Sequence, residues 1–151
     1  MIKNSDNIYV QAQMLIRKPI EKVFEAFINP EITTNFWFTK STGKLEEGKT
    51  VIWEWEMYGA KTNVNVLEIV QNQSIKTEWG EPSTNVDYEF KEMEKGTLVV
   101  IKSYGYSQTG EDLLKVINDN TRGFTTVLDG CKAFLEYGIN LRLIEDKFPS
   151  K

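Results

Sequence analysis

The sequence predicts an α+β fold. A curled antiparallel sheet of about six to seven strands wraps over one long C-terminal helix, with two short helices between the first two strands. Three features of the 151 residues lead there. Apolar and polar residues alternate in several short runs separated by Gly, Asn and Pro, the period of half-buried strands. A stretch opened by Pro19 carries its apolar residues at helical spacing instead. From Glu111 the apolar period switches to that of a helix and holds as far as Tyr137.

Each element follows from local chemistry. In residues 8–16, Val10, Ala12, Met14 and Ile16 share one strand face, opposite Gln11 and Gln13. Pro19 suits the first turn of a helix, where its missing N–H costs no bond, and Val23, Phe24, Phe27 and Ile28 form the buried stripe. Asn29-Pro30 ends this helix and starts a second, running toward Phe36. Residues 45–49 read as a turn. Residues 50–57 then alternate strictly, with Val51, Trp53, Trp55 and Met57 on one face and Ile52, Glu54 and Glu56 on the other. Further strands are expected at 62–70, 74–79, 86–90 and 98–101, separated by Asn72-Gln73, Gly80-Glu81-Pro82 and a Glu94-Lys95-Gly96 hairpin. The long helix has Leu113, Leu114, Ile117, Phe124, Val127, Leu128, Cys131, Phe134 and Leu135 as its apolar positions. Gly123 and Gly130 interrupt it on one side at a cost of roughly 1 kcal/mol each, which implies that bulk must be absent there. Gly138 suits the helix end. Residues 139–151 are a possible tail, amphipathic as far as Phe148 but without an assigned element.

Composition narrows the function. Eighteen Lys and Arg against 22 Asp and Glu leave a net charge of −4, which argues against general nucleic-acid binding, since phosphate neutralisation demands a basic face. The lone Cys131 rules out an internal disulfide and fits a reducing compartment. With no histidine, Ser-His-Asp and Cys-His catalysis and every His-bearing zinc site are removed. No Gly-rich phosphate loop is present. The N-terminus acquires no apolar core, and no apolar run is long enough to span a membrane. A single cytoplasmic domain over residues 1–151, with no metal and no cofactor, is expected.

The candidate site is aromatic. Trp53 and Trp55 lie two apart and point to one sheet face. Trp37, Trp79, Tyr88 and Phe124 project toward the same space between sheet and helix, with Phe90, Val127 and Leu128 beside them. Asn120 shares the helical face of Phe124 and Val127 and is the polar candidate, whereas Arg122 is expected to face solvent. Filling this space with side chains makes an ordinary core; leaving part of it open makes a binding site. Tyr88 and Tyr104 could offer hydroxyls to a ligand. Glu54 and Glu56 face away from the tryptophans as a solvated charged face, and Cys131 is expected to be buried and inert.

Several segments carry a resemblance to a known family. They are residues 16–27 (IRKPIEKVFEAF), Asn29-Pro30, Phe36-Trp37, residues 66–70 (VLEIV), Trp79-Gly80, Gly96-Thr97 and Gly123-Phe124. Their order along nearly the whole chain resembles the START-like, helix-grip (SRPBCC) superfamily, and within it the heat shock protein 90 ATPase activator homologues. Phe124 stands where that family usually carries Trp, keeping aromatic volume and dropping the indole N–H. The resemblance implies a cavity under the long helix. Members of the superfamily bind lipids, hormones or polyketides there, and some are cyclases or hydrolases. The family name implies a chaperone or other protein partner and a stress-response setting, although eukaryotic activators pair this domain with a separate chaperone-binding domain for which this chain is too short.

The leading expectation is non-catalytic binding of a small apolar, aromatic or lipid-like molecule by Trp37, Trp53, Trp55, Trp79, Tyr88, Phe90, Asn120, Phe124, Val127 and Leu128, in a monomer or homodimer. The alternatives are a protein-interaction module regulating a chaperone ATPase, and a cyclase- or hydrolase-type enzyme working through Tyr, Asn or carboxylate groups. No catalytic residue is assigned.

Overall fold

The computed structural model describes residues 8–149. Strand β1 (Tyr9–Ile16) leads into helices α1 (Ile20–Ile28) and α2 (Pro30–Thr33). Six strands follow: β2 (Lys40–Ser41), β3 (Thr50–Trp55), β4 (Ala60–Val70), β5 (Ser74–Trp79), β6 (Thr84–Met93) and β7 (Gly96–Tyr104). Helix α3 (Gly110–Tyr137) and the short α4 (Leu143–Lys147) complete the described chain.

The sheet order is β1-β7-β6-β5-β4-β3-β2, antiparallel throughout. β2 to β7 therefore form a meander in sequence order, and β1 joins its far edge beside β7. To reach the opposite edge after β1, the chain must cross the sheet, and α1 and α2 make that crossing. The crossing brings Phe24 and Phe27 of α1 against Phe90, with ring centroids 5.1 and 5.6 Å apart, and Phe27 also meets Phe36 at 5.6 Å.

Alternation decides which side chains face inward. Val51 and Trp53, Val64 and Val66, Ile75 and Thr77, Val86, Tyr88 and Phe90, and Val99 and Ile101 are all buried on the concave face. A bulge between Val66 and Glu68 breaks the β4–β5 register. It leaves Leu67 outward and adds to the curl, as an unpaired residue bends its strand.

α3 closes the concave side. Its second half supplies the buried Phe124, Val127, Leu128, Gly130 and Cys131. Its last turns are tied to the end of β1: Glu136 Oε2 accepts the Arg17 N–H at 2.8 Å and the Lys132 ammonium at 2.6 Å, and Lys132 also donates to the Leu15 carbonyl. Gly130 lets this half approach closely. A Cβ there would stand 3.3 Å from Phe36 Cβ and 3.4 Å from its carbonyl oxygen. Gly138 ends the helix in the left-handed region, its N–H bonded back to Ala133 and Phe134 carbonyls.

The structure departs from the sequence expectation in three places. The strand expected over 50–57 ends at Trp55, because the β3–β4 hairpin already closes at the Trp55–Ala60 pair. Glu56–Tyr58 form a 3-10 turn, so Met57 leaves the tryptophan face. β2 has two residues, too few for any alternation to mark it. Part of the unassigned tail is helical, as α4, and docks beside α3. Residues 150 and 151 of that tail lie outside the described residues, as do residues 1–7 of the expected single domain.

Candidate functional site

The first half of α3 stands off the sheet, and the gap is a cavity of about 600 Å³. Trp55 and Trp79, at the C-terminal ends of β3 and β5, form one wall together with Trp37 from the loop after α2. Asn120, Gly123, Phe124 and Val127 of α3 form the other. Tyr58, from the 3-10 turn, and Ile144 and Phe148, from α4 and just beyond it, close one end.

Six of the ten residues expected at a ligand site line this cavity: Trp37, Trp55, Trp79, Asn120, Phe124 and Val127. The other four do not. Trp53 is 1% exposed and stacks on Phe38 at 4.4 Å, with 19° between the rings. Tyr88, Phe90 and Leu128 are likewise packed core behind the wall. The aromatic cluster is nonetheless continuous. Trp37 lies 4.9 Å from Trp53, 6.2 Å from Trp79 and 6.4 Å from Phe124 between ring centroids, so the packed layer fixes the lining layer.

Gly123 decides the shape of the helical wall. It lies between Asn120 and Val127 on the lining face, and a Cβ built on it would meet nothing within 4 Å. The two helix glycines thus act differently: Gly130 admits Phe36, and Gly123 borders open space.

Polar groups are few inside. Asn120 Nδ2 donates to Tyr106 Oη at 3.1 Å, and Tyr106 donates to Ser103 Oγ at 2.8 Å. This chain orients the amide and leaves Asn120 Oδ1 without a donor among the described residues. Asn120, Trp79 and Phe124 also line a smaller recess of about 240 Å³. Behind the wall, Tyr88 Oη lies beside Trp79 Nε1 and Thr77, yet Tyr88 Oη and Trp79 Nε1 are buried without a hydrogen bond of good geometry among the described residues. Burial pushes the Tyr88 phenol well above the usual tyrosine range, so it stays a neutral hydroxyl. Cys131 is fully buried, and burial, then the Glu136 charge, drives its thiol pKa up; it is not a nucleophile.

Charge is confined to the rim, where Lys115, Asp119 and Arg122 of α3 meet Lys147 of α4. Asp119 is the single carboxylate on the lining and sits 4.0 Å from Arg122 Nη2. The expectation for Arg122 holds for exposure, since its side chain is 70% exposed, but that side chain also borders the opening. Glu54 pairs with Lys61 at 3.7 Å, and Glu56 lies off the strand in the turn, so the two do not form a carboxylate pair on one strand face. Tyr104 donates to Asp87 Oδ2 at 3.1 Å instead of serving the cavity.

Sequence reasoning missed Tyr58, Ile144, Lys147 and Phe148. No local signal marks them, because a turn and a tail meet α3 only in the folded chain. Lys115, Asp119 and Arg122 were legible in principle, since their spacing of four and then three residues puts them along one edge of a helix.

A curled antiparallel sheet gripping a long C-terminal helix, with space left between them, defines a START-like protein of the helix-grip fold. The family model described as "Activator of Hsp90 ATPase homolog 1-like protein" matches residues 17–136, and the chain belongs to that family. A crystal structure of the protein SSP2350 from Staphylococcus saprophyticus is 31% identical, with a TM-score of 0.81 over 89% of this chain and 96% of that one. The Aha1 dimer from Colwellia psychrerythraea is 16% identical, with a TM-score of 0.73 over 87% of this chain and 98% of that one. CalU16 from Micromonospora echinospora is 16% identical, with a TM-score of 0.70 over 90% and 79%. No match is found among curated proteins. Among the described residues, no helix is long and apolar enough to cross a membrane.

Proposed function

We propose that this protein is a non-catalytic receptor for a small apolar, aromatic or lipid-like molecule held between the sheet and α3. Trp37, Trp55, Trp79, Asn120, Phe124 and Val127 make the contact surface, and Trp53, Tyr88, Phe90 and Leu128 form the rigid layer behind it. The observation that carries this reading is Gly123. A glycine in mid-helix is unfavourable by about 1 kcal/mol, and here no neighbouring group occupies the space it leaves. Its benefit is the volume of the cavity, which is in the range of small-molecule sites. The lone carboxylate on the lining supports binding over acid–base catalysis.

Titration with the neutral dye Nile red tests the reading. Gly123→Leu should put a side chain into the cavity while improving helix propensity, so dye uptake should fall and the Tm should not. Undiminished uptake by a folded Gly123→Leu protein would overturn the proposal.

The family description favours a second reading, a protein-interaction module acting on a chaperone ATPase. Exposed Tyr137, Ile139, Leu141 and Phe148 near the C-terminal end would give it a surface. Assaying a purified Hsp90-type ATPase with the full chain decides it, and neither binding nor stimulation would remove it. A reducing, cytoplasmic setting suits the buried free thiol of Cys131.

A further inference from the structure

The rim of the cavity has a charge opposite to that of the molecule. The chain carries −4 overall, yet the four charged residues bordering this opening are three cations and one anion. Lys115, Asp119 and Arg122 run along the solvent edge of α3, and Lys147 joins them from α4. Asp119 is engaged with Arg122. Neither Lys115 nor Lys147 has a carboxylate within 4.0 Å among the described residues. Elsewhere on the surface, Lys44, Lys49, Lys61, Lys76 and Lys91 each have an acidic partner within 3.7 Å, while Lys18, Lys22, Lys40, Lys95 and Lys102 have none within 4.0 Å among the described residues. What marks this rim is three cations against one carboxylate around a single apolar opening. The cavity beneath is lined by aromatic and aliphatic side chains and one amide, with no charge inside.

From this separation of chemistry we infer that the ligand is an anionic amphiphile: an apolar chain or flat ring system inside, and one anionic end group, a carboxylate, sulfonate or phosphate, at the rim between Lys115, Arg122 and Lys147. The inference rests on the receptor reading above and adds the ligand's class and orientation to it. Physically, the bound anion relieves repulsion among like charges gathered at one opening. The apolar wall on one side of the rim strengthens that attraction relative to open water. The cations also exclude cationic amphiphiles with the same apolar body.

Two dyes with the same ring system isolate the effect: anilinonaphthalene sulfonate, which is anionic, and N-phenylnaphthylamine, which is neutral. The anionic dye should bind roughly tenfold tighter, the order expected from two or three partly exposed charge contacts. That preference should shrink toward one in a Lys115→Gln/Lys147→Gln double variant and, for the unaltered chain, in about 1 M salt. Near-UV circular dichroism checks that the variant is folded, and the salt series stands alone if it is not. Displacement of the dye by dodecanoate or by naphthoate then tells whether the natural body is a chain or a ring. Equal binding of the two dyes overturns this inference and leaves the receptor reading standing. A preference that survives both high salt and the double substitution removes the rim from the explanation. Failure of both dyes to bind overturns the inference and the receptor reading together.

Discussion

At the scale of single residues, Tyr88 is the clearest case of packing overriding polarity. Its ring completes the aromatic layer, with Trp37 at 6.2 Å and Phe27 at 6.0 Å between centroids, while its hydroxyl, close to Thr77 and Trp79, is buried without a hydrogen bond of good geometry among the described residues. An unpaired buried hydroxyl costs free energy that a methine would not. Tyr88→Phe should therefore raise the stability of the ligand-free protein by about 1 kcal/mol, read as a higher urea midpoint; a lower midpoint would mean that the hydroxyl has a partner. The sequence placed Tyr88, Trp53 and Trp55 correctly on the concave face, because a strand's period of two is strict. It could not separate the packed Trp53 from the half-buried Trp55, because both obey the same period. What separates them is Phe38, which stacks on one ring and meets the other edge-on at 6.4 Å.

At the scale of elements, α3 was the most legible part of the chain. Its apolar period is long, its glycines are spaced on one face, and Gly138 ends it. Its anchoring was not legible. Glu136 and Lys132 read as an ordinary exposed pair four residues apart, yet Glu136 is nearly buried and holds the Arg17 amide of the β1–α1 link. Burial alone would raise its carboxyl pKa. The Arg17 N–H, the Lys132 ammonium and the Arg17 charge outweigh burial and hold it below the usual carboxylate range. A carboxyl depressed in the folded state contributes stability that is present above its unfolded pKa and is lost as pH falls through the folded value. Glu136→Gln should therefore cost about 1–2 kcal/mol near neutral pH. The gap from the unaltered protein should narrow as urea midpoints are followed from pH 7 down past 4. A constant gap would place the stabilisation outside the charge.

At the scale of the whole molecule, the cavity has one wall that depends on a few contacts. α4 is short, and it is held through Tyr58, whose hydroxyl reaches the Ile144 and Glu145 carbonyls and whose ring meets Phe148 at 6.4 Å. Such a segment belongs to the low-stability end of a fold. Tyr58→Phe should speed amide hydrogen exchange in residues 143–147 while leaving the β6–β7 amides unchanged. Equal exchange in both proteins would show that α4 is held by its apolar contacts alone. The sequence by itself determined the order of elements, the inward faces of the strands and the identity of the helix over them, because period, turn chemistry and helix ends are properties of neighbouring residues. Tertiary structure alone decided that the gap stays partly open, which aromatics line it and which are packed behind, and that Lys147 joins Lys115 and Arg122 at its rim. Those outcomes depend on how far α3 stands from the sheet and where α4 docks, and such distances arise from contacts between residues remote in the chain.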